Sequence, residues 1–331
     1  MTKTRVKKLY SHFTKALSNK NYWLCFITGL SLVFAYAPFS QWYLALFLPA
    51  LVLYKVQQQP PKKAAKLVAI FAFGWFASGI SWVHVSIDQF GGLPLVVSLG
   101  LMLLLCFYLA IFPALGAYLT ARFSTNQQVN LWLFPSFWLF SEYLRSVVLT
   151  GFPWLSLGYS QIDGPLASFA PIIGEVGVTA LVIIINICLV KLFNAIKLNR
   201  NKSTLFPITL IFAFGVLSFI FTQVTWVKTT GAIAKVALVQ GNIAQSIRWV
   251  PEQEWPTMLK YLDLSRMNFD ADIIIWPESA IPAMEPSVQD YLSTVNRSAL
   301  FNDSAIIAGI QNYNFENKKY YNSLIVLGKK Q

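Results

Sequence analysis

The sequence predicts a multi-span α-helical membrane domain followed by an α/β domain, and three observations support this prediction. The 331 residues are 56% hydrophobic and only 12% charged, which is too apolar for an ordinary soluble protein of this length. Seven apolar runs with short polar connections occupy residues 22–226. Beyond them, residues 227–331 alternate short β-branched segments with helical patterns, which is typical of α/β layer folds.

The formal net charge of +12 lies entirely in the first part of the chain. Residues 1–222 hold 16 basic and four acidic residues, whereas residues 223–331 hold ten of each. Basic residues between apolar runs are a membrane-topology signal rather than a surface for nucleic acid. We therefore expect no nucleic-acid partner.

Residues 1–21 form a basic N-terminus directly before the first apolar run. This arrangement resembles a secretory signal, since Ala35-Tyr36-Ala37 has the small-x-small form of a cleavage site. However, Pro38 follows that site at once and further apolar runs come next. We therefore expect an uncleaved first span.

The apolar runs predict seven spans, because a bilayer core of about 30 Å needs about 20 helical residues. The first two runs are short or tilted. Of the two longest runs, residues 93–121 contain Pro113, and residues 166–196 contain Pro171, Gly174 and Gly177. Kinked or broken helices are therefore expected in both runs. The runs are residues 22–38, 42–56, 64–87, 93–121, 129–149, 166–196 and 205–226.

Orientation follows from the basic residues, which concentrate in alternate loops. Their distribution predicts a cytoplasmic N-terminus. With seven spans, residues 227–331 then lie on the far side of the membrane, which is the periplasm of a bacterium with two membranes. The basic residues in or beside these loops are Lys55, Lys62, Lys63, Lys66, Arg122, Lys191, Lys197, Arg200 and Lys202.

Four ionisable residues, His84, Glu142, Arg145 and Glu175, lie within or beside predicted spans. Charge inside a membrane is costly, so each is a functional candidate. Glu142 and Arg145 are three residues apart on one helix face, which favours mutual neutralisation. For His84, a buried imidazole with a hydrogen-bond partner is the favoured interpretation.

Residues 272–282, DIIIWPESAIP, carry the candidate catalytic residue. The three β-branched residues 273–275 suit a strand that is buried on both faces, and Pro277 prevents that strand from continuing. Glu278 therefore lies just past a strand end, where a partly desolvated carboxylate suits a general base. These local features alone support about equally the alternative that Glu278 is a loop carboxylate that faces water.

Residues 151–165, GFPWLSLGYSQIDGP, combine Gly, Pro and aromatic residues at a membrane boundary. Such a segment predicts irregular backbone that lines a cavity, or an aromatic belt in the interface. The α/β part then begins with an alternating strand at 233–240, followed by QGNIAQSIRWV. Helices are predicted at 256–269 and 288–300, and strands at 305–310 and 321–327.

Three of these segments resemble apolipoprotein N-acyltransferases, bacterial membrane enzymes of the nitrilase superfamily that acylate the N-terminal cysteine of lipoproteins. The segments are WPESAIP, GFPWLSLGYSQIDGP continued by LASFAPIIGEVGV, and QGNIAQSIRW. The resemblance implies a nitrilase-like αββα fold for residues 227–331 and a periplasmic location for them at the inner membrane. It also implies that Glu278 is the general base and that Trp249, Asn322 and Trp154 contact substrate.

The resemblance further implies a triad of glutamate, lysine and cysteine. The glutamate deprotonates the thiol, the thiolate attacks an acyl carbonyl of a phospholipid, and the lysine stabilises the oxyanion. The thioester then acylates the amino group of the S-diacylglyceryl-cysteine of an apolipoprotein. The implied partners are the phospholipid acyl donor, the apolipoprotein and the membrane, and no cofactor is implied.

Two members of that triad are absent from these 331 residues. In the family the lysine lies in YNKxHLVPFGE and the cysteine in CYE, both after the strand that here is 323–327. Lys329 and Lys330 lack that motif. The cysteines lie in apolar runs without disulfide or metal-ligand spacing. We therefore expect a C-terminally truncated family member with an incomplete nitrilase domain and no acyltransferase activity. The cysteines are Cys25, Cys106 and Cys188.

Two other functions fit parts of the sequence. A membrane-anchored amidase of the nitrilase superfamily would use the same glutamate with water as the acyl acceptor. A non-enzymatic transporter or ligand-binding membrane protein would also have several spans and a few buried charges. A transporter is expected to show repeat symmetry between two halves of its spans, and the sequence shows none.

Overall fold

The computed structural model describes residues 19–124 and 129–329, except for the side chain of Asn201. Most of the basic N-terminus, residues 1–18, and Lys330 lie outside the described residues. The chain forms two compact units, residues 1–227 and 228–331. The first unit is helical and the second contains a mainly parallel sheet with helices, so the predicted fold class is confirmed.

Each of the seven apolar runs overlaps at least one helix of the first unit. Within the described residues these helices are α1 (Lys20–Leu32), α2 (Leu44–Val56), α3 (Pro61–Gly79), α4 (Val83–Gln89), α5 (Leu95–Arg122), α6 (Phe134–Val147), α7 (Ala170–Lys197) and α8 (Leu205–Thr222).

Three described helices, α5, α7 and α8, are long and apolar enough to cross a membrane. The pair α3 and α4, bent by 53°, counts as a fourth if it forms one span. Helices α1, α2 and α6 have 13, 13 and 14 residues. At 1.5 Å per residue they measure about 20 Å, less than the bilayer core. The first unit is thus a membrane domain, while the count of seven spans stays a prediction.

One of the two expected helix interruptions is clear. Gly174 has φ 65° and ψ −179° inside α7, a conformation that is essentially restricted to glycine. The helix therefore restarts at Glu175. By contrast, α5 continues through Pro113 as one helix. The core of the unit is apolar and aromatic, with Trp75, Phe76 and Leu109 fully buried.

The second unit holds a five-stranded sheet. Strands β1 and β2 are parallel, β2 and β3 each pair with β4 in parallel, and β5 pairs with β4 in antiparallel orientation. Its helices are α9 (Pro251–Arg266) and α10 (Gln289–Phe301). The strands are β1 (Val236–Leu238), β2 (Ile273–Ile275), β3 (Ile281–Met284), β4 (Ala305–Asn314) and β5 (Lys319–Gly328).

Strands β2 and β3 share one edge of β4, because β5 pairs along the whole of its other edge. Between them the chain leaves the sheet at residues 276–280 and returns to it. Ile274 is fully buried, whereas Ile273 and Ile275 are half-buried, so β2 is less enclosed than the sequence suggested. Helix α9 begins at Pro251 rather than at Pro256, because Pro251 takes the first helical position and two glutamates follow in the first turn.

Candidate functional site

Glu278 lies in the turn that separates β2 from β3. On one side of it, the backbone N–H of Trp276 donates to the Ile307 carbonyl of β4 at 2.8 Å. The buried indole Nε1–H of Trp276 donates to Ser265 Oγ of α9, also at 2.8 Å. On the other side, Ser279 has φ 54°, which completes a tight reversal. Strand and helix contacts thus fix the backbone on which the carboxylate is carried.

Gly309 of β4 lies directly against this turn. A Cβ atom at Gly309 would lie 2.9 Å from Glu278 Cα, 3.0 Å from Ser279 N and 3.2 Å from Pro277 O. Any side chain there would push the turn away from the sheet. No local pattern marks Gly309, since its importance depends on a contact with a segment 31 positions earlier in the chain.

Asn322 of β5 is brought to Glu278. Its Nδ2 donates to Glu278 Oε1 at 2.5 Å, and Asn322 on β5 pairs with Gln311 on β4. A hydrogen bond to a carboxylate is stronger than one between neutral groups. It leaves Oε2 without a hydrogen bond to any described residue. Glu278 itself is exposed, so the partial desolvation expected from the sequence is not found.

Trp249 is not part of this contact. It lies in the loop between β1 and α9 and its side chain is 50% exposed. No hydrogen bond or ring contact joins Trp249 to Glu278 or Asn322 in the part of the chain that the structure describes. Its proposed contact with substrate therefore rests on the family resemblance.

Trp154 belongs to the first unit, where it lines a cavity of about 640 Å³. The walls of this cavity come from the end of the first apolar run, from α6, from the irregular segment 151–165 and from the restart of α7 at Glu175. Most of the wall is apolar or aromatic. The segment was predicted either to line a cavity or to form an aromatic belt, and it lines a cavity. The cavity is also lined by Tyr36, Leu139, Tyr143, Pro153, Tyr159, Ile162 and Val176.

A polar network contributes Glu142, Ser156 and Glu175 to the cavity wall. Ser156 Oγ donates to Glu142 Oε2 at 2.9 Å and also contacts Glu175 Oε1. Thr179 Oγ1 donates to Glu175 Oε1 at 2.8 Å and accepts from the Gly158 N–H at 2.8 Å. Glu142 and Glu175 were candidates from the sequence. The hydroxyl groups that join them were not, because Ser156 and Thr179 carry no distinctive local pattern.

Arg145 and Glu142 form the ion pair that the sequence predicted, with Nη2 3.6 Å from Oε1. Arg145 also donates from Nη1 to two loop carbonyls, which the sequence did not indicate. His84 is only half-buried, and its Nδ1 contacts the Ser81 carbonyl. The three cysteines are buried and unpaired.

Two family models match the chain. The N-terminal domain of apolipoprotein N-acyltransferase matches residues 28–188, and the carbon-nitrogen hydrolase domain matches residues 235–331. The first match covers α2 to α6, most of α7 and all residues that line the cavity. The second contains β1 to β5 and the Glu278 turn.

Curated relatives match nearly the whole chain. The apolipoprotein N-acyltransferase of Shewanella oneidensis is 46% identical over 309 residues, which are 92% of this chain and 58% of the relative. That of Vibrio cholerae is 44% identical over 303 residues, or 91% of this chain and 58% of the relative. That of Coxiella burnetii is 35% identical, with 92% and 63% covered. The chain thus spans less than two thirds of the length of these relatives.

Proposed function

Because this chain belongs to the apolipoprotein N-acyltransferase family, we propose that it contributes the membrane domain and the catalytic base to the N-acylation of lipoproteins. In this reaction an acyl chain passes from a phospholipid, through a cysteine thioester, to the amino group of an S-diacylglyceryl-cysteine. The proposal covers the activity, the phospholipid donor and the apolipoprotein acceptor.

Glu278 acts as the general base. Its carboxylate accepts the thiol proton, the thiolate attacks the ester carbonyl, and the lysophospholipid leaves with that proton. The amine of the acceptor then attacks the thioester, forms the amide and restores the thiol. The thiol and the lysine of the reaction belong to family motifs that residues 1–331 do not contain.

Asn322 and the two tryptophans have supporting roles. The Asn322 amide donates to one oxygen of Glu278, and the other oxygen has no hydrogen bond to a described residue and can accept the thiol proton. Trp249, 50% exposed, and Trp154, in the cavity wall, contact substrate. A largely apolar cavity of about 640 Å³ has the volume of typical small-molecule sites.

The protein resides in the bacterial inner membrane, with a cytoplasmic N-terminus and a periplasmic second unit. Support comes from the alternate distribution of basic residues between the apolar runs. Helices α5, α7 and α8 meet the length and hydropathy needed for spans.

The observation that carries the proposal is the Glu278 turn, held between β2 and β3 by Gly309 and hydrogen-bonded to Asn322. A chimera tests it. In this chimera, residues 1–329 of this chain replace the aligned segment of the Shewanella oneidensis relative, and the rest of the sequence comes from that relative. Acyl transfer from phospholipid to a diacylglyceryl-cysteine peptide is then followed by mass spectrometry. We expect N-acylation, and we expect Glu278→Gln to lower its kcat by at least about 100-fold, the usual contribution of a general base.

Glu316→Gln is the matched control, since Glu316 is an exposed glutamate in the turn between β4 and β5. It should leave the rate unchanged. Equal rates for Glu278→Gln and the unmodified chimera would contradict the role of Glu278. Release of free fatty acid without N-acylation would instead favour an amidase. The 331-residue chain is assayed in parallel, and acyl transfer by it would contradict the expectation that it is inactive.

A further inference from the structure

The loop that follows α6 has an unusual backbone. Leu149, Thr150 and Leu155 have φ of 52°, 70° and 58°, and Gly151 has φ 77°. Residues other than glycine rarely adopt positive φ. Such conformations persist where the surrounding structure holds them, and they concentrate at functional sites. Residues 148–156, the α6 loop, therefore need an anchor.

Arg145 supplies that anchor from the last turn of α6. Its side chain is almost fully buried, and Nη1 donates to the carbonyl of Phe152 at 2.8 Å and to that of Trp154 at 2.6 Å. The Phe152 N–H donates in turn to the Arg145 carbonyl at 2.9 Å. Backbone groups two residues apart in the α6 loop are thus bound by one guanidinium group.

Gly151 gives the loop a second point of attachment. A Cβ atom there would lie 1.9 Å from the Ser146 carbonyl oxygen, so only glycine permits the loop to fold back against α6. This contact does not involve the guanidinium group, and it allows the loop to be disturbed independently of Arg145.

The anchored segment ends in a cavity wall. The Trp154 indole lies 5.9 Å from the ring of Trp82 and 5.5 Å from that of Phe152, measured between centroids. Its side chain is 51% exposed and faces the 640 Å³ cavity. The position of this indole depends directly on the carbonyls that Arg145 holds.

An ion pair with Glu142 does not account for these contacts. Neutralisation of one carboxylate needs one cation, and lysine would serve. A planar guanidinium with five donors can bind two carbonyls and a carboxylate at the same time, whereas an ammonium is a point charge. The geometry therefore gives Arg145 a second task, which is the placement of the α6 loop.

We propose that Arg145 is a positioning residue: it fixes the α6 loop so that Trp154 forms the wall of the cavity in which an acyl chain of the phospholipid substrate binds. The identity of this ligand rests on the proposed function. The placement of the loop rests on the contacts of Arg145 alone.

A double-mutant cycle in phospholipid binding tests the proposal. The full chain is purified in detergent, and binding of dipalmitoyl phosphatidylethanolamine is titrated by native mass spectrometry for the unmodified protein, Arg145→Lys, Trp154→Ala and the double variant. We expect each single variant to weaken binding about tenfold, the effect of one strong contact. We expect the double variant to bind no more weakly than Trp154→Ala, because Arg145 acts through Trp154.

Arg122→Lys, at the exposed end of α5, is the matched control and should leave the dissociation constant unchanged. A double variant weakened by the product of the single effects, about 100-fold, would overturn the proposal. So would an unaffected Arg145→Lys, or a chain that does not bind the phospholipid.

Gly151→Ala displaces the same loop, and it takes the place of Arg145→Lys in the double-mutant cycle if Arg145→Lys does not fold. It should weaken binding without adding to Trp154→Ala, and additive losses would overturn the proposal. Binding needs no catalysis. A chain that binds phospholipid normally while its chimera transfers no acyl group would contradict the proposed function and leave the role of Arg145 intact.

Discussion

At the residue scale, Glu278 is oriented by its neighbours rather than by burial. The carboxylate is exposed, yet its backbone is held against Gly309 and one oxygen is bound by Asn322. An exposed side chain without such contacts would sample several rotamers. General-base catalysis depends on short, aligned contacts, so the role proposed for Glu278 depends on these contacts as well as on the carboxylate.

Gly309→Ala tests this orientation. The added methyl group would meet the backbone of Glu278 at 2.9 Å and displace the turn. In the acyltransferase chimera we expect kcat to fall about tenfold or more, with KM unchanged, because a small misplacement of a catalytic group is costly.

Gly100→Ala is the control, since a Cβ placed there has no heavy atom within 4 Å apart from its chain neighbours and the backbone of its own helix. It should leave both constants unaltered. A rise in KM with constant kcat for Gly309→Ala would show that the glycine serves substrate binding instead.

At the element scale, α9 and α10 are joined through a buried tyrosine. The hydroxyl of Tyr291 on α10 donates to the Met258 carbonyl of α9 at 2.8 Å. Burial raises the pKa of Tyr291 well above its ordinary value, and the carboxylate of Asp263 raises it further. Burial also raises the pKa of Tyr261 on α9. The helices therefore pack around tyrosines that must stay neutral.

This packing predicts an alkaline limit to the stability of the second unit. The folded-state pKa of Tyr291 exceeds the unfolded value of about 10. Its contribution is thus fully present below pH 10 and is lost as the pH rises toward the folded-state pKa. The free energy of unfolding should fall by about 1.4 kcal/mol per pH unit for each such tyrosine. Tyr291→Phe should make that decline shallower.

The measurement is proteolysis at increasing urea between pH 9 and pH 11.5, with cleavage sites in residues 228–329 identified by mass spectrometry. Tyr320→Phe, which alters a tyrosine that is 71% exposed, is the control and should retain the full slope. An unchanged slope in Tyr291→Phe would argue against an ionisable, buried Tyr291.

At the scale of the whole molecule, the distribution of charge and of cysteine separates the two units. The excess of basic residues lies in the helical unit, and residues 228–331 contain no cysteine. The three cysteines of the first unit are buried and should react slowly with thiol reagents. A single introduced cysteine can therefore report the side of the membrane on which it lies.

The proposed orientation predicts different labelling of two such cysteines. In cells with a permeabilised outer membrane, a membrane-impermeant maleimide should label Ser293→Cys on α10 and leave Ser203→Cys, between α7 and α8, unlabelled. Both serines are exposed, so access to the reagent is set by the membrane. Labelling of both after lysis is the control, and the reverse pattern in cells would contradict a periplasmic second unit.

The fold class and the location of Glu278 just past a strand could be predicted from local sequence patterns. Long apolar runs, a triplet of β-branched residues and a following proline act locally, because they restrict the backbone wherever they occur. The sequence also indicated the break in α7, where Pro171, Gly174 and Gly177 cluster, and the pairing of Glu142 with Arg145, which are three positions apart on one helix.

The surroundings of these residues depend on the packing of distant segments. Gly309 and Asn322 meet Glu278 from 31 and 44 positions away in the chain, since parallel and antiparallel pairing brings their strands together. Arg145 binds carbonyls of a loop whose backbone no local pattern specifies. Such contacts depend on how distant segments pack, and the residues that make them carry no periodic signal. The orientation of the candidate base and the shape of the cavity could therefore not be predicted from the sequence.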